Sequence, residues 1–152
     1  MAIVGISCFF HDSAAAVISD SGEILGAAHE ERFSRIKHDS RFPKKALIYC
    51  LDSQKIDLRD IYSIVYYEKP LLTFERLLET YLGTAPRGAR SFIAAMQVWL
   101  KEKLFLKNQI KTELKIIQNK YTPNVNFEIP KLLFSEHHLS HAAAAFYPSP
   151  FE

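Results

Sequence analysis

Three observations predict an α/β protein built on a mixed five-stranded sheet. Three short apolar runs fall within the first 30 residues, separated by turn residues, which is the pattern of an antiparallel meander. After residue 43 the periodicity becomes helical and alternates with two further strand-like runs. The stretches joining those later runs hold helical patterns, as crossovers between parallel strands require.

The elements follow in order. Residues 3–10 are β-branched and aromatic, Ala14–Ser19 is a second apolar run, and residues 23–29 are a third, with Asp20-Ser21-Gly22 as the hairpin turn between the last two. Residues 30–43 form a dense mixed-charge loop with few helix or strand credentials. A helix is predicted from Pro43 to about Gln54, with Ala46, Leu47, Cys50 and Leu51 as its core-facing stripe. Residues 61–67 read as the fourth strand, residues 71–82 as a helix ended by Gly83-Thr84-Ala85-Pro86, and residues 87–120 as a further helical stretch. Lys131 to Phe134 is a short fifth strand, and the histidine-bearing stretch from Ser135 to Phe146 is the last helix, ended by Pro148. This order matches one half of the actin-like, ribonuclease-H-like architecture, whose proteins generally place a ligand between two similar halves.

The last helix carries the sharpest chemical signal. His137 and His141 stand four residues apart, so a helix turns both imidazoles toward one point, which is how a helix holds a transition metal. The pair of His138 and His141, at a spacing of three, is also compatible with a helix, and alanine-rich core helices carry structural histidines too. Two imidazoles are half a site, since a metal normally takes three or four protein ligands. At the first strand's end, His11 and Asp12 either cap a turn or meet a ligand. In the mixed-charge loop, Arg32, Arg35, Lys37, His38 and Arg41 are either solvated or receive an anion.

Composition bounds the rest. The chain has 152 residues, 48% of them hydrophobic, enough to bury one core. A net charge of +2 does not suggest a dedicated nucleic-acid binder. Lys103, Lys107, Lys111 and Lys115 form a row read first as the solvated face of an amphipathic helix, with nucleic-acid or membrane contact as the alternative. Cys8 and Cys50 fit neither a disulfide framework nor a zinc motif and read as buried small hydrophobes. No signal peptide or membrane span is evident, and the expectation is a cytoplasmic protein with no membrane partner.

Three stretches together resemble a known family: Gly5-Ile6-Ser7 followed by His11-Asp12-Ser13-Ala14-Ala15-Ala16, then Glu30 to His38, then His137 to Phe151. They resemble the amino-terminal part of the O-carbamoyltransferases that modify nodulation factors, cephem and aminoglycoside antibiotics. That family is related to the proteins that build threonylcarbamoyl-adenosine in transfer RNA. The motifs span the chain from end to end, although residues 70–125, read as a helical insert, carry none of them.

The resemblance implies a two-step reaction. Carbamoyl phosphate and ATP give carbamoyl-adenylate in one domain, and an actin-like domain passes the carbamoyl group to the hydroxyl of a small acceptor beside a divalent metal. By motif match His137 and His141 are the metal ligands, and imidazole pairs suit iron or zinc better than magnesium. His11 is then a base or acceptor contact, and Asp12, Lys37 and His38 lie near the substrate. Family members are several times longer. The expectation is therefore that residues 1–152 are the N-terminal half of the transfer domain, lacking the other half and the adenylate-forming domain, and that alone they neither make carbamoyl-adenylate nor hold metal tightly. The competing readings are a subunit of a threonylcarbamoyl-adenosine-type system and a non-catalytic assembly module with an exposed apolar face.

Overall fold

The computed structural model describes residues 1–10, 12–102, 105–121, 123 and 128–150. Five strands form one mixed sheet: β1 (Ala2–Ser7), β2 (Ala14–Ser19), β3 (Ile24–His29), β4 (Ile61–Tyr66) and β5 (Lys131–Phe134). Their spatial order is β3-β2-β1-β4-β5. β1 pairs antiparallel with β2 and β2 with β3, whereas β4 runs parallel to both β1 and β5. The meander and the two parallel additions are thus as the sequence predicts. At the β2–β3 hairpin Gly22 takes a φ of +87°, open to glycine at no steric cost, and the Ser19 amide donates to the Glu23 carbonyl at 2.9 Å.

Period-two alternation gives the sheet two unlike faces. Val4 stands beside Val17 of β2 and Ile64 of β4, and all three are fully buried. Over this face lies α2 (Lys44–Gln54), whose Ala46, Leu47, Cys50 and Leu51 are buried as the spacing requires. Across the sheet the register places Gly5 beside Ala16 and Val65. A Cβ at Gly5 would meet nothing within 4 Å, so this second face is open there.

Two elements differ from the sequence expectation. The mixed-charge loop begins with one helical turn, α1 (Glu31–Ser34), closed by Arg35 at a φ of +59°. Glu30 explains it: its buried carboxylate accepts from the Ala46 amide at 2.8 Å, while its carbonyl accepts from the Ser34 amide at 2.9 Å. The buried acid caps α2 and starts α1 together. The basic helical stretch is two helices, α4 (Ala89–Glu102) and α5 (Leu106–Tyr121), with Phe105 in a turn before α5.

Their apolar stripes have different partners, which is why one continuous helix does not serve. α4 packs on α3 (Pro70–Thr84), where the Tyr81 and Phe92 rings stack at 4.3 Å and the Trp99 indole N–H donates to the Pro70 carbonyl at 3.2 Å. Leu106, Ile110, Leu114 and Ile117 of α5 instead join the main core, and Glu113 pairs with Lys44 of α2 at 3.0 Å. Of the lysine row, Lys107 and Lys115 are exposed and Lys111 is half-buried; Lys103 lies outside the described residues. Cys8 and Cys50 are both buried thiols, and burial pushes the Cys50 thiol up. No helix among the described residues is long and apolar enough to cross a membrane.

Candidate functional site

The register gathers the candidate residues at one edge of the sheet. Ser7 at the end of β1 lies beside Ala14, and Ala14 beside His29 at the end of β3. Tyr66 at the end of β4 lies between Ile6 and Phe134. The β1–β2 connection, the loop after β3, the start of α3 and the helix after β5 therefore all leave the sheet at the carboxyl ends of its parallel strands, where open α/β sheets place ligands. The Tyr66 hydroxyl donates to the Cys8 carbonyl at 2.8 Å and ties two of these strand ends together. Burial of that phenol pushes its pKa well above the usual range.

The first cluster sits on α6 (His137–Phe146). Three contacts fix its start: the Ser135 amide donates to the Tyr66 carbonyl at 2.8 Å, the Ser140 hydroxyl to the Tyr67 carbonyl at 2.9 Å, and the Lys69 ammonium pairs with Glu136 at 3.1 Å. This brings His137 and His141 together, Nε2 to Nε2 at 3.2 Å. Nitrogens this close either share one proton or turn both lone pairs toward one cation. His138 leaves the pair, its Nδ1 lying 3.4 Å from the Arg76 guanidinium of α3. The i, i+4 pair is thus the one that converges, supported by the Tyr67 ring at 5.6 Å from that of His137. Among the described residues no cluster of three or more His, Cys, Asp or Glu side chains able to hold a metal forms.

The second cluster joins Asp12 and His38, 26 residues apart in sequence, with His38 Nδ1 at 2.9 Å from the Asp12 carboxylate. Backbone bonds lace the two loops, from the Phe9 amide to the Ser40 carbonyl at 2.6 Å and from the Ser13 amide to the Asp39 carbonyl at 2.8 Å. Phe9, at a φ of +69°, thereby ends β1 earlier than the aromatic run suggests. His38 itself sits at a φ of +56°, a conformation that costs about 1–2 kcal/mol in a non-glycine residue. Its amide donates to Glu31 at 3.3 Å. Next to it the Arg41 guanidinium grips buried Asp39 through two bonds of 2.9 and 2.6 Å, and that grip holds the Asp39 carboxyl well below the usual carboxylate range.

Of the remaining sequence candidates, Lys37 is exposed and belongs to neither cluster, and His11 lies outside the described residues. The open sheet face forms a trough of about 470 Å³ reaching α6, lined by Gly5, Ser7, Ala14, Ala16, Tyr67 and Ser140 among others. Tyr67 and Arg76 are the site neighbours that sequence reasoning missed. Tyr67 was visible as the end of a strand run, but nothing in the sequence couples it to His137. Arg76 lies in the stretch without motifs.

Comparison with known proteins gives the family. The chain is 56% identical over 150 residues to an uncharacterized protein of Synechocystis sp., an alignment that covers 99% of this chain and 24% of the relative. It is 32% identical over 144 residues to Nodulation protein NolNO of Sinorhizobium fredii, covering 95% of this chain and 18% of that protein. The chain therefore spans a quarter or less of the length of these two relatives. Residues 2–152 match the family model described as the carbamoyltransferase N-terminus, and with that match over nearly its whole length the chain belongs to the carbamoyltransferase family, as an N-terminal segment of it.

Proposed function

We propose that this chain is the N-terminal half of an actin-like domain that transfers a carbamoyl group from carbamoyl-adenylate to the hydroxyl of a small acceptor at a metal site. The sheet order β3-β2-β1-β4-β5, with three antiparallel and two parallel strands in sequence, supports the actin-like, ribonuclease-H-like assignment. The observation that carries the functional reading is the imidazole pair of His137 and His141 at 3.2 Å. A tetrahedral ion with metal–nitrogen bonds of about 2.0–2.1 Å separates its ligand nitrogens by about 3.3–3.4 Å, so the pair fits iron or zinc without rearrangement. Such an ion, when bound, supplies positive charge for phosphate oxygens and for the leaving adenylate.

The chain's own residues would do the rest. Tyr67 and Ser140 hold the imidazoles at the strand ends. Lys37 and His38 stand in the loop after β3, where an anionic or hydroxylated substrate meets them, with Asp12 beside them. His11 serves as a base or as a contact to the acceptor. In this reading ATP and carbamoyl phosphate are consumed by an adenylate-forming domain that these residues do not include, and a second half-domain completes the metal site.

The test exchanges residues 2–152 for the matching N-terminal segment of the Synechocystis relative and supplies carbamoyl phosphate, ATP and iron(II) or zinc. Release of AMP, pyrophosphate and the phosphate of carbamoyl phosphate, with a mass gain of one carbamoyl group on a hydroxylated acceptor, is expected, and loss of that gain in His137→Ala and His141→Ala. Absence of any carbamoylated product across a panel of sugars and aminoglycosides would overturn the reading. The 152-residue chain alone is expected to take up zinc or iron weakly in calorimetry, since two imidazoles are half a ligand set.

A further inference from the structure

We propose that Arg76 of α3 is a phosphate-contacting residue, whose guanidinium holds the phosphate of the adenylate beside the imidazole pair of His137 and His141. This rests on the carbamoyl-transfer reading above, and it places a substrate contact in residues 70–125, where the sequence carries no family motif. Arg76 is exposed, and its Nη1 lies 3.4 Å from His138 Nδ1. A guanidinium only donates, so the imidazole nitrogen accepts, and the contact uses one of the five N–H groups of the fork.

Two contacts set α3 against the start of α6. Lys69 pairs with Glu136 at 3.1 Å, and Arg76, about two helical turns further along, meets His138. The hairpin partner α4 braces the same stretch: the Trp99 indole N–H donates to the Pro70 carbonyl at 3.2 Å, and its ring lies 4.7 Å from that of Phe74. Arg76 is thus carried by a braced helix, and a site on such an element is more precise than one on a loop. The His138 ring centre lies 5.6 Å from that of His137, so the guanidinium is at most about 10 Å from the His137 ring, and a phosphate contacted at about 2.8 Å on both sides spans about 8 Å.

Charge selects the ligand. Among the described residues no ion pair joins Arg76 to a carboxylate, although Glu75 and Glu79 stand beside it on α3, and the Glu136 carboxylate pairs with Lys69. The imidazole pair fits a divalent cation, and a guanidinium at this distance repels such an ion unless an anion lies between them. A phosphate meets both demands. Its oxygens match the guanidinium fork through two parallel N–H bonds and turn the remaining negative charge toward the imidazoles.

Titration of the metal-free 152-residue chain with AMP, inorganic phosphate and adenosine tests this. At millimolar concentration AMP and phosphate are expected to shift the Arg76 Nε–H and His138 ring signals in ¹H–¹⁵N spectra, and adenosine to leave both in place. Arg76→Ala is expected to weaken AMP binding about 5-fold or more while the amide spectrum stays folded, and Arg76→Lys to recover part of it, since the charge stays and the fork is lost. Equal AMP affinity in Arg76→Ala, or no response of Arg76 to AMP, overturns the proposal. A response to inorganic phosphate without one to AMP overturns it as well, because the site then takes a free anion and not an adenylate. In the exchanged polypeptide, Arg76→Ala is expected to weaken product inhibition by AMP about 10-fold. If transfer proceeds and that inhibition is unchanged, only the Arg76 assignment falls. If the unsubstituted polypeptide transfers no carbamoyl group while AMP still shifts Arg76, the functional reading falls and the phosphate contact stands.

Discussion

The two faces of the sheet are made from the same strands and serve opposite ends. On one, Val4, Val17 and Ile64 lie fully buried in one core with Leu47 of α2 and Ile110 and Leu114 of α5. On the other, Gly5, Ser7, Ala14 and Ala16 line an open trough that runs to Ser140 and Ala143 on α6. At the centre of β1 and β2 the branched Val4 and Val17 alternate with the small Gly5 and Ala16, so neighbouring residues of one strand carry two instructions there. The comparison teaches that stability and site are carried by alternate residues, and that single substitutions separate them.

The largest expected effect lies on the packed face. Leu47→Ala or Ile64→Ala is expected to cost about 2–5 kcal/mol in urea unfolding, because the residues around a fully buried side chain do not collapse into the space it leaves. A loss under about 1 kcal/mol would break the contrast between the faces. Next comes the loop that joins packed core to site edge. Asp39→Asn is expected to cost about 1–3 kcal/mol by weakening its charged bonds to Arg41.

The pH dependence follows from the sign of that shift. The folded Asp39 carboxyl lies below its ordinary value of 3.8, so the unfolded chain binds the proton first. The contribution is complete above that value and is lost as pH falls toward the folded pKa. Equilibrium unfolding between pH 5 and pH 2 should show this acid limb in the unsubstituted chain and a flatter one in Asp39→Asn.

A smaller effect is expected for Tyr66→Phe, which removes the hydroxyl bond to Cys8 that ties the ends of β1 and β4, at about 0.5–1.5 kcal/mol. Here the sign is reversed. The folded phenol lies above its ordinary value of 10.0, so its contribution is full below that pH and declines as pH rises. Unfolding followed from pH 9 to pH 11 should lose stability less steeply in the phenylalanine variant. The smallest effect belongs to the open face. Gly5→Ala places a Cβ where nothing lies within 4 Å and is expected to change unfolding free energy by less than about 0.5 kcal/mol. If it costs as much as Leu47→Ala, that face is packed after all.

Part of this fold was legible because local rules decide it. Apolar runs rich in β-branched residues mark β1 and β4, a short apolar run marks β2, Ala46 to Leu51 keep helical spacing, and the spacing of four between His137 and His141 allows their convergence on a helix there. The single turn of α1 was not legible. It depends on the carboxylate of Glu30 reaching the amide of Ala46, 16 residues away. The division between α4 and α5 was hidden for a related reason, since both stripes have the same period and only their packing partners differ.

The amino-acid sequence by itself determined the strand and helix types and put His141 within helical reach of both His137 and His138, because each follows from side-chain periodicity within one element, while the structure chose His137. Only the tertiary structure decided that Asp12 meets His38, that Tyr67 supports His137 and that Arg76 reaches His138. Those contacts join segments that are distant along the chain, and their geometry is set by strand order and register, which no local pattern encodes.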